Sequence, residues 1–135
     1  MLTGLPTLGT ARVQISAKGP MTGGVGDANM GGAFGPEMRY AGFDHLVIRG
    51  RAEKPVYLYV NDGEVEIRDA SHLWGKDTHE TQKLIKEELG DERVESMVIG
   101  RAGEKQVYFA NVMNNNKNAG GRGGMGAVMG SKNLK

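Results

Sequence analysis

The residues best suited to chemistry lie in the stretch 118–135, which holds six glycines and a single arginine, Arg122. Residues without a Cβ let the backbone turn tightly and bring bare N–H groups close to another molecule. Such N–H groups and the guanidinium fork of Arg122 are suited to hold a phosphate. A flexible linker would share this composition, but it has no reason to place apolar residues at helical spacing, as at Met125, Val128, Met129 and Leu134. We therefore predict an anion cradle that leads into a short helix, whose N-terminus adds partial positive charge.

A second glycine-rich zone spans residues 19–42 and surrounds Asp27, Ala28 and Asn29. Some of its positions match the C-terminal stretch at a constant offset of 88 residues, as from Gly32 to Gly120. The matched pairs are Gly32 and Gly120, Gly35 and Gly123, Gly42 and Gly130, and Leu46 and Leu134. Chance is one explanation in a chain so rich in glycine. The other is duplication, with two loop–helix units that face each other across a pseudo-twofold axis and each hold one of two similar anionic groups.

Other kinds of site have less support in the sequence. The run 121–126 matches the dinucleotide-binding pattern GxGxxG, but no buried strand directly precedes it and no acidic residue follows about 20 positions later. His45, His72 and His79 lack metal-ligand spacing, and the chain has no cysteine to bind an iron–sulfur cluster. Asp27 is either a general base or a residue that caps a turn.

Length and composition fit one globular domain, with 135 residues, 39% hydrophobic and 24% charged, and a formal net charge of +1. The small net charge predicts that no global electrostatic field recruits nucleic acid. No apolar run approaches the length of a membrane span, so we expect no membrane contact and a cytoplasmic location. Residues 1–11 show no clear period, which favours a single but truncated domain over residues 1–135.

The elements that would position the glycines begin with a strand at residues 12–18, where apolar and polar residues alternate. Residues 21–32 are predicted to form a loop because glycine and turn-forming residues dominate there. A short helix should include Pro36 in its first turn, because the missing N–H of proline has no helical partner at that position. This helix runs to about Tyr40 and is closed by Gly42.

The rest of the chain alternates between predicted strands and one longer helix. Further strands are predicted at residues 44–49, 56–60, 65–68, 94–99 and 106–112. Asn61-Asp62-Gly63 predicts a hairpin turn, and Asn114-Asn115-Asn116 predicts another turn. A helix should start at the capping-box sequence Asp77-Thr78-His79-Glu80 and end at Gly90. Strands outnumber helices, so the predicted fold class is α+β.

Three long motifs are specific enough to suggest a family. They are GRAEKPVYLY at 50–59, EIRDASHLWGKDT at 66–78 and GRGGMGAVMGSKNLK at 121–135, with a further block of GGAFGPEM at 31–38 and AGFD at 41–44. From about Thr10 to Lys135 the chain resembles the N-terminal domain of the tungsten-containing aldehyde ferredoxin oxidoreductases. The resemblance therefore covers nearly the whole chain.

This resemblance implies two mainly antiparallel β-sheets that sandwich a tungsten or molybdenum bis-pterin cofactor, with the glycine zones as pseudo-twofold half-sites. The metal is held by dithiolene sulfurs of the two pterins and needs no protein ligand. A magnesium ion bridges the pterin phosphates and is bound by main-chain oxygens. Carried over by motif, these belong to Asn29 and Ala119, and oxygen is the ligand that magnesium prefers.

The resemblance also implies contacts for individual residues. Arg12 matches a family arginine that lies between a pterin and an iron–sulfur cluster. The residues implied at the first pterin are Ala28, Met30, Gly31 and Gly32, and those implied at the second are Gly120, Gly121 and Arg122. One position departs from the family, because Asn118 stands where relatives often have a basic residue that contacts a phosphate.

By the same resemblance, the parent enzyme oxidises an aldehyde to a carboxylic acid and passes electrons through a 4Fe–4S cluster to ferredoxin. The remaining domains of the parent enzyme would supply the cluster ligands, the substrate pocket and the acid–base residues. We therefore expect this part alone to be inactive, and the parent could form a homo-oligomer. The sequence leaves open the substrate, the choice between tungsten and molybdenum, and a different class of protein: a freestanding phosphate- or nucleotide-binding module with no redox role.

Overall fold

The computed structural model describes residues 3–135; residues 1 and 2, at the start of the stretch without a clear period, lie outside the described part. Antiparallel strands and helices together confirm the predicted α+β class. In chain order the elements are β1 (Val13–Lys18), β2 (Val25–Met30), α1 (Phe34–Tyr40), β3 (Val56–Asn61), β4 (Glu64–Asp69), α2 (Thr78–Leu89), β5 (Met97–Val98), α3 (Arg101–Glu104), β6 (Val112–Asn114), β7 (Asn118–Gly120) and α4 (Met125–Ser131).

The strands of residues 3–135 pair into three small antiparallel sheets rather than the expected two. β1 pairs with β2, β3 pairs with β4, and the third sheet has the order β5-β6-β7. The β3–β4 hairpin forms a sheet of its own. Among the described residues, one isolated parallel bridge, between Val56 and Leu134, links this hairpin to another extended segment. The three sheets are joined through side-chain packing and the short helices.

The first hairpin shows where sequence reasoning succeeded and where it failed. The alternation predicted for β1 is confirmed, since its apolar residues are half-buried and its polar residues are exposed. The loop predicted at 21–32 is wrong over Val25–Met30, which forms β2 and pairs with β1 along its whole length. Glycine, aspartate and asparagine are poor strand formers, so this stretch carries no strand signal of its own. Pairing with β1 and the burial of Ala28 and Met30 make it a strand.

The β3–β4 hairpin is confirmed, with Asp62 and Gly63 at φ +44° and +86° as the two central residues of its turn. Positive φ at both positions is the mark of a type I′ turn, whose twist matches that of paired strands. The strand predicted at residues 44–49 is wrong, because these residues form no regular element. Val47 is 73% exposed. Within residues 3–135, residues with strand propensity in this segment have neither a neighbouring strand to pair with nor a core to pack against.

The prediction for residues 94–112 is also wrong in most of its detail. Regular pairing is limited to Met97–Val98 and to β6, and residues 101–104 form α3. The backbone between them bonds locally and to helices, with Val107 N donating to Ala102 O and Gly126 N donating to Ala110 O. These hydrogen bonds use backbone groups that a strand at 106–112 would need for pairing with a neighbouring strand.

Helix α2 follows the prediction at both ends. The Asp77 carboxylate accepts a hydrogen bond from the Glu80 backbone N–H at 2.8 Å, and Gly90 ends the helix in the left-handed conformation. Thr81, Gln82 and Ile85 form its buried face. This helix packs against the β3–β4 hairpin and takes no part in the glycine zones.

Replacing Asp77 with alanine should lower the melting temperature by a few degrees at neutral pH. The Glu80 N–H bond holds the pKa of Asp77 below its usual value, so the charged carboxylate stabilises the fold above the unfolded pKa. This stabilisation is lost as pH falls through the lowered folded pKa, so the two proteins should converge in strong acid. Thermal unfolding against pH measures this. Asp77→Asn is the control, since asparagine caps equally well without titrating, and a pH-independent difference for Asp77→Ala would contradict the prediction.

Two apolar clusters form the core, and one of them supports the glycine zones. The first joins the β1–β2 hairpin, β6 and α4 through Ala28, Ile99, Val112, Met125, Met129 and Leu134. The second lies between the β3–β4 hairpin and α2 and consists of Tyr57, Ala70, Leu73, Ile85 and Val98. Because Ala28 lies within the first glycine zone and Met125 within the second, the first cluster supports both zones.

Candidate functional site

The two glycine zones lie side by side. The first is carried by β2 and the residues after it, the second by β7 and the turn before α4. A Cβ added at Gly120 would lie 3.4 Å from the Ala28 Cβ, and one added at Gly123 would lie 2.9 Å from the Asp27 carbonyl oxygen. The missing side chains therefore allow β2 and the second zone to approach closely.

Both zones contain backbone N–H groups without acceptors. In the part of the chain that the structure describes, the N–H groups of residues 31–33 and of residues 121–124 make no hydrogen bond. Gly32, Gly123 and Gly124 have φ values of +102°, +71° and +69°, which glycine adopts without strain. Successive unpaired N–H groups form a concave donor set for an anion. Each glycine zone therefore carries one such set, the first directly after β2 and the second directly after β7.

The residues predicted in the first zone divide by exposure. Asn29 is exposed, whereas the side chains of Ala28 and Met30 are buried at 3% and 0% exposure and can offer a ligand only their backbone. Arg12 lies just before β1, and its Nη1 donates to the Asn29 Oδ1 at 3.0 Å. Gly31 is half-buried. The hydrogen bond from Arg12 brings a positive charge to the edge of this zone.

In the second zone the predicted residues are mostly exposed. Ala119, Gly121 and Arg122 are exposed, and Gly120 is buried against the hairpin. Arg122 makes no ion pair or hydrogen bond with any described residue, so its guanidinium is available to an anion. A Cβ at Gly121 would meet nothing within 4 Å. The surface here is open beside a cationic side chain.

Not every glycine of the C-terminal stretch belongs to the cradle. Gly126 and Gly130 are buried in α4, where added Cβ atoms would collide with the Asn111 and Gly103 carbonyl oxygens. These two glycines let α4 pack closely against α3 and the chain that follows it. The helix itself has seven residues. The sequence grouped all six glycines together, and the structure separates ligand-facing positions from packing positions.

One part of the duplication hypothesis agrees with the structure. A β-hairpin followed by a short helix occurs as β1–β2–α1 and again as β6–β7–α4. The glycines paired by the 88-residue offset nevertheless differ in conformation, since Gly32 has φ +102° and Gly123 has φ +71° while their partners Gly120 and Gly35 are not left-handed. The turn at 121–124 separates Gly120 from α4, whereas α1 follows Gly32 almost at once.

Sequence reasoning missed one residue beside the first zone. Asn114, interpreted as part of a turn, is the last residue of β6 and is fully buried with its Oδ1 unpaired among the described residues. The half-buried Asn118 places its carboxamide against the first zone, 2.9 Å from a Cβ added at Gly32. No local signal identifies Asn114, because its burial depends on contact with a distant segment.

Two groups with shifted pKa values, Tyr57 and Lys135, lie in the supporting core. Burial and the hydrogen bond to Glu88 raise the pKa of Tyr57, which packs against α2. Burial lowers the pKa of Lys135, and its ion pair with Glu104 offsets part of that effect. Within residues 3–135, no group of three or more His, Asp or Glu side chains could hold a metal ion.

A family model described as "Aldehyde ferredoxin oxidoreductase, N-terminal domain" matches residues 1–135. The chain belongs to this family. The aldehyde ferredoxin oxidoreductase resemblance carried by the three motifs is thereby confirmed over the full sequence.

Several curated relatives of this chain are oxidoreductases by name. The chain is 53% identical over 134 residues to the tungsten-containing aldehyde ferredoxin oxidoreductase of Pyrococcus horikoshii and 54% identical to that of Pyrococcus abyssi, covering 99% of this chain and 22% of each relative. It is 39% identical over 136 residues to an aliphatic sulfonate oxidoreductase, WOR-like subunit, of Pyrococcus furiosus, covering 92% of this chain and 22% of the relative. The chain thus spans about a fifth of these relatives' length.

A solved structure shares the fold of this aldehyde ferredoxin oxidoreductase domain. It is the active-site complex BamBC of benzoyl coenzyme A reductase in complex with 1,5-dienoyl-CoA, with a TM-score of 0.96 and 45% identity over 99% of this chain and 20% of that chain. This likeness supports the α+β arrangement. Among residues 3–135, no helix is both long and apolar enough to cross a membrane.

Proposed function

We propose that this chain is the cofactor-binding part of an enzyme that oxidises an aldehyde to a carboxylic acid and passes electrons through a 4Fe–4S cluster to ferredoxin. The cofactor is a tungsten or molybdenum bis-pterin. One observation carries the proposal: two sets of unpaired backbone N–H groups, at residues 31–33 and 121–124, directly follow β2 and β7, two strands that pack against each other. A cofactor with two phosphate-bearing pterins matches this doubled donor set.

The side chains around these donors suit the same ligand. Arg122 is exposed and unpaired among the described residues and would hold one phosphate with its guanidinium. Arg12, oriented by its bond to Asn29, would place a positive charge between the first pterin and the cluster. Backbone atoms of residues 28–32 would line one pterin, and residues 120–122 would line the other. Glycine at the contact positions keeps the backbone within reach of the ligand.

Magnesium would be bound by the main-chain oxygens of Asn29 and Ala119. Both residues are exposed, one on β2 and the other on β7. Oxygen ligands and phosphates are the preferred partners of magnesium. No described cluster of acidic or histidine side chains competes for the role. The ion would therefore join the two zones through backbone and phosphate oxygens.

The chain's own contribution to the reaction is binding and orientation. When bound, the cofactor supplies the two-electron redox chemistry. The backbone donors fix its phosphates, and Arg12 adjusts the electrostatic field along the path to the cluster. The remaining domains of the parent enzyme would bring the cluster ligands, the substrate pocket and the contact with ferredoxin, and subunit association would occur through them. The isolated chain would then be inactive.

Elemental analysis tests this proposal. The protein from the full-length reading frame, purified without oxygen, should contain tungsten or molybdenum together with iron and magnesium. Residues 1–135 alone should contain no iron, since they have no cysteine. A full-length protein free of tungsten and molybdenum would contradict the proposal and favour a phosphate- or nucleotide-binding module without a redox role.

Substituting alanine for Gly121 should lower the tungsten or molybdenum content of the full-length protein about tenfold, because a methyl group would displace a phosphate from a charge-assisted N–H bond. The fold should be unaffected, since an added Cβ at Gly121 meets nothing within 4 Å. Elemental analysis and thermal unfolding measure the two effects. Gly24→Ala is the matched control, an exposed glycine in the β1–β2 turn with ordinary contacts. Unchanged metal content in Gly121→Ala would place the phosphate elsewhere.

A second candidate is reductive chemistry on another substrate with the same cofactor class. The specific support is the likeness to the benzoyl coenzyme A reductase complex, at 45% identity and a TM-score of 0.96. Assaying the metal-loaded full-length protein for aldehyde oxidation with an electron-accepting dye, and for thioester-substrate reduction with a strong reductant, separates the two candidates. Aldehyde turnover alone would exclude the second.

A further inference from the structure

Asn114 is a buried carboxamide whose oxygen has no hydrogen-bond donor in the described part of the chain. The residue is 0% exposed. Its Nδ2 lies 2.9 Å from the Ser96 carbonyl oxygen, 3.1 Å from the Glu95 Oε2 and 3.3 Å from the Asn115 Oδ1. These acceptors determine which way the amide points, because a flipped amide would set its oxygen against them. The Asn114 Oδ1 is therefore held on the opposite side, and that side faces Gly32.

The contact with Gly32 is too close for any other residue at position 32. A Cβ added to Gly32 would overlap the Asn114 Oδ1 and would lie 2.9 Å from the Asn118 Nδ2. Gly32 also has φ +102°, in the region that favours glycine. The Asn114 oxygen therefore occupies space that a side chain at position 32 would need. Gly32 is thus confined by two carboxamides from the second hairpin.

We infer that Asn114 is a positioning residue that holds the segment 31–33 in the conformation in which its N–H groups are presented to a ligand; the inference rests on the proposed function. A pair of glycines left unconfined would sample many backbone conformations, and ordering them would weaken binding. An unpaired buried carbonyl oxygen is costly for packing alone. Asn114 belongs to β6 and Gly32 follows β2, so the contact also couples the geometry of the two glycine zones.

The role differs from that of the ligand-facing residues. The Asn114 Oδ1 is buried and would not touch the cofactor. Its effect passes through the backbone of residues 31–33. Glu95 supports it one step further back, since its carboxylate holds the amide nitrogen. Loosening either residue should therefore mobilise the same short segment without removing any ligand contact.

Hydrogen exchange by mass spectrometry on the full-length protein, prepared without tungsten or molybdenum, tests the inference. In Asn114→Ala, the Glu37 amide, which donates to the Ala33 carbonyl oxygen, should exchange about tenfold faster than in the wild type because its acceptor is no longer held in place. Amides of α2 should be unchanged. Glu95→Gln keeps Asn114 but weakens the hydrogen bond that orients its amide. This variant should show the same increase in exchange with a smaller amplitude, so the test remains available if Asn114→Ala does not fold. Unchanged exchange at Glu37 in the folded variants would overturn the inference.

Metal loading provides the second measurement. The tungsten or molybdenum content of Asn114→Ala should fall about tenfold, whereas Ile85→Ala, which weakens the other apolar cluster, should load as the wild type does. Equal losses of metal in the two variants would mean that Asn114 contributes only to the general stability of the fold. A wild-type protein without either metal would contradict the proposed function, and the exchange result would still decide whether Asn114 positions the segment.

Discussion

Replacing Gly130 with alanine is expected to lower the free energy of unfolding by about 3 kcal/mol or more. An added Cβ would overlap the Gly103 carbonyl oxygen and lie 2.7 Å from its carbonyl carbon. Both are backbone atoms of α3, which have no alternative rotamer. Helix propensity acts in the opposite direction, since alanine in a helix interior is favoured over glycine by about 1 kcal/mol. The sign of the measured change therefore shows whether local propensity or the α3–α4 contact dominates.

Urea unfolding of the purified protein gives this free energy. Gly121→Ala is the matched control from the same stretch, because Gly121 is exposed, has no positive φ and has nothing within 4 Å of an added Cβ. Its free energy of unfolding should change by less than about 0.5 kcal/mol. A Gly130→Ala protein as stable as the wild type would mean that α3 and α4 lie further apart than the structure shows.

Replacing Lys135 with methionine is expected to cost about 3–5 kcal/mol of the free energy of unfolding. Lys135 and Glu104 form an ion pair whose side chains are 0% and 6% exposed. The Lys135 Nζ also donates to the Lys76 carbonyl oxygen at 2.9 Å, and the Gly75 N–H donates to the Glu104 carboxylate at 3.0 Å. Removing the ammonium leaves a buried carboxylate whose remaining partner among residues 3–135 is the Gly75 backbone N–H. The connection among α3, the segment before α2 and the end of the chain would be lost.

Denaturant unfolding of single and double variants tests the argument. Burial lowers the pKa of Lys135 and the ion pair with Glu104 offsets part of that effect, so each buried charge depends on the other for compensation. The double variant Lys135→Met with Glu104→Met should therefore be more stable than either single variant. Lys83→Met is the control, because the Lys83–Glu87 pair is 75% and 53% exposed and should contribute less than about 1 kcal/mol. Additive losses in the double variant would show that the two charges do not depend on each other.

Elements with strong local signals were predicted from the sequence. The β3–β4 hairpin has a two-residue turn whose chemistry is read directly from Asp62 and Gly63. Helix α2 has a carboxylate cap at Asp77 and a left-handed glycine at Gly90. In both cases the deciding interactions lie within a few residues, so neighbouring residue types are sufficient.

Elements decided by distant contacts were not predicted from the sequence. Strand β2 has a composition typical of a loop, and it is a strand because β1 pairs with it and the core buries Met30. Residues 106–112 have strand propensity, yet the backbone around Ala110 bonds to Gly126 of α4 instead. Local propensities contribute less free energy than the burial and the hydrogen bonds that a tertiary contact supplies.

The candidate site shows the same division. The sequence by itself determined the family, the presence of two glycine zones and the cationic Arg12 and Arg122, because these depend on residue types and motifs alone. Only the tertiary structure decided that the zones are adjacent, that Gly130 packs a helix while Gly121 faces open space, and that Asn114 confines Gly32. A glycine in sequence shows only that a side chain is missing. What fills the space depends on which distant segment folds against it.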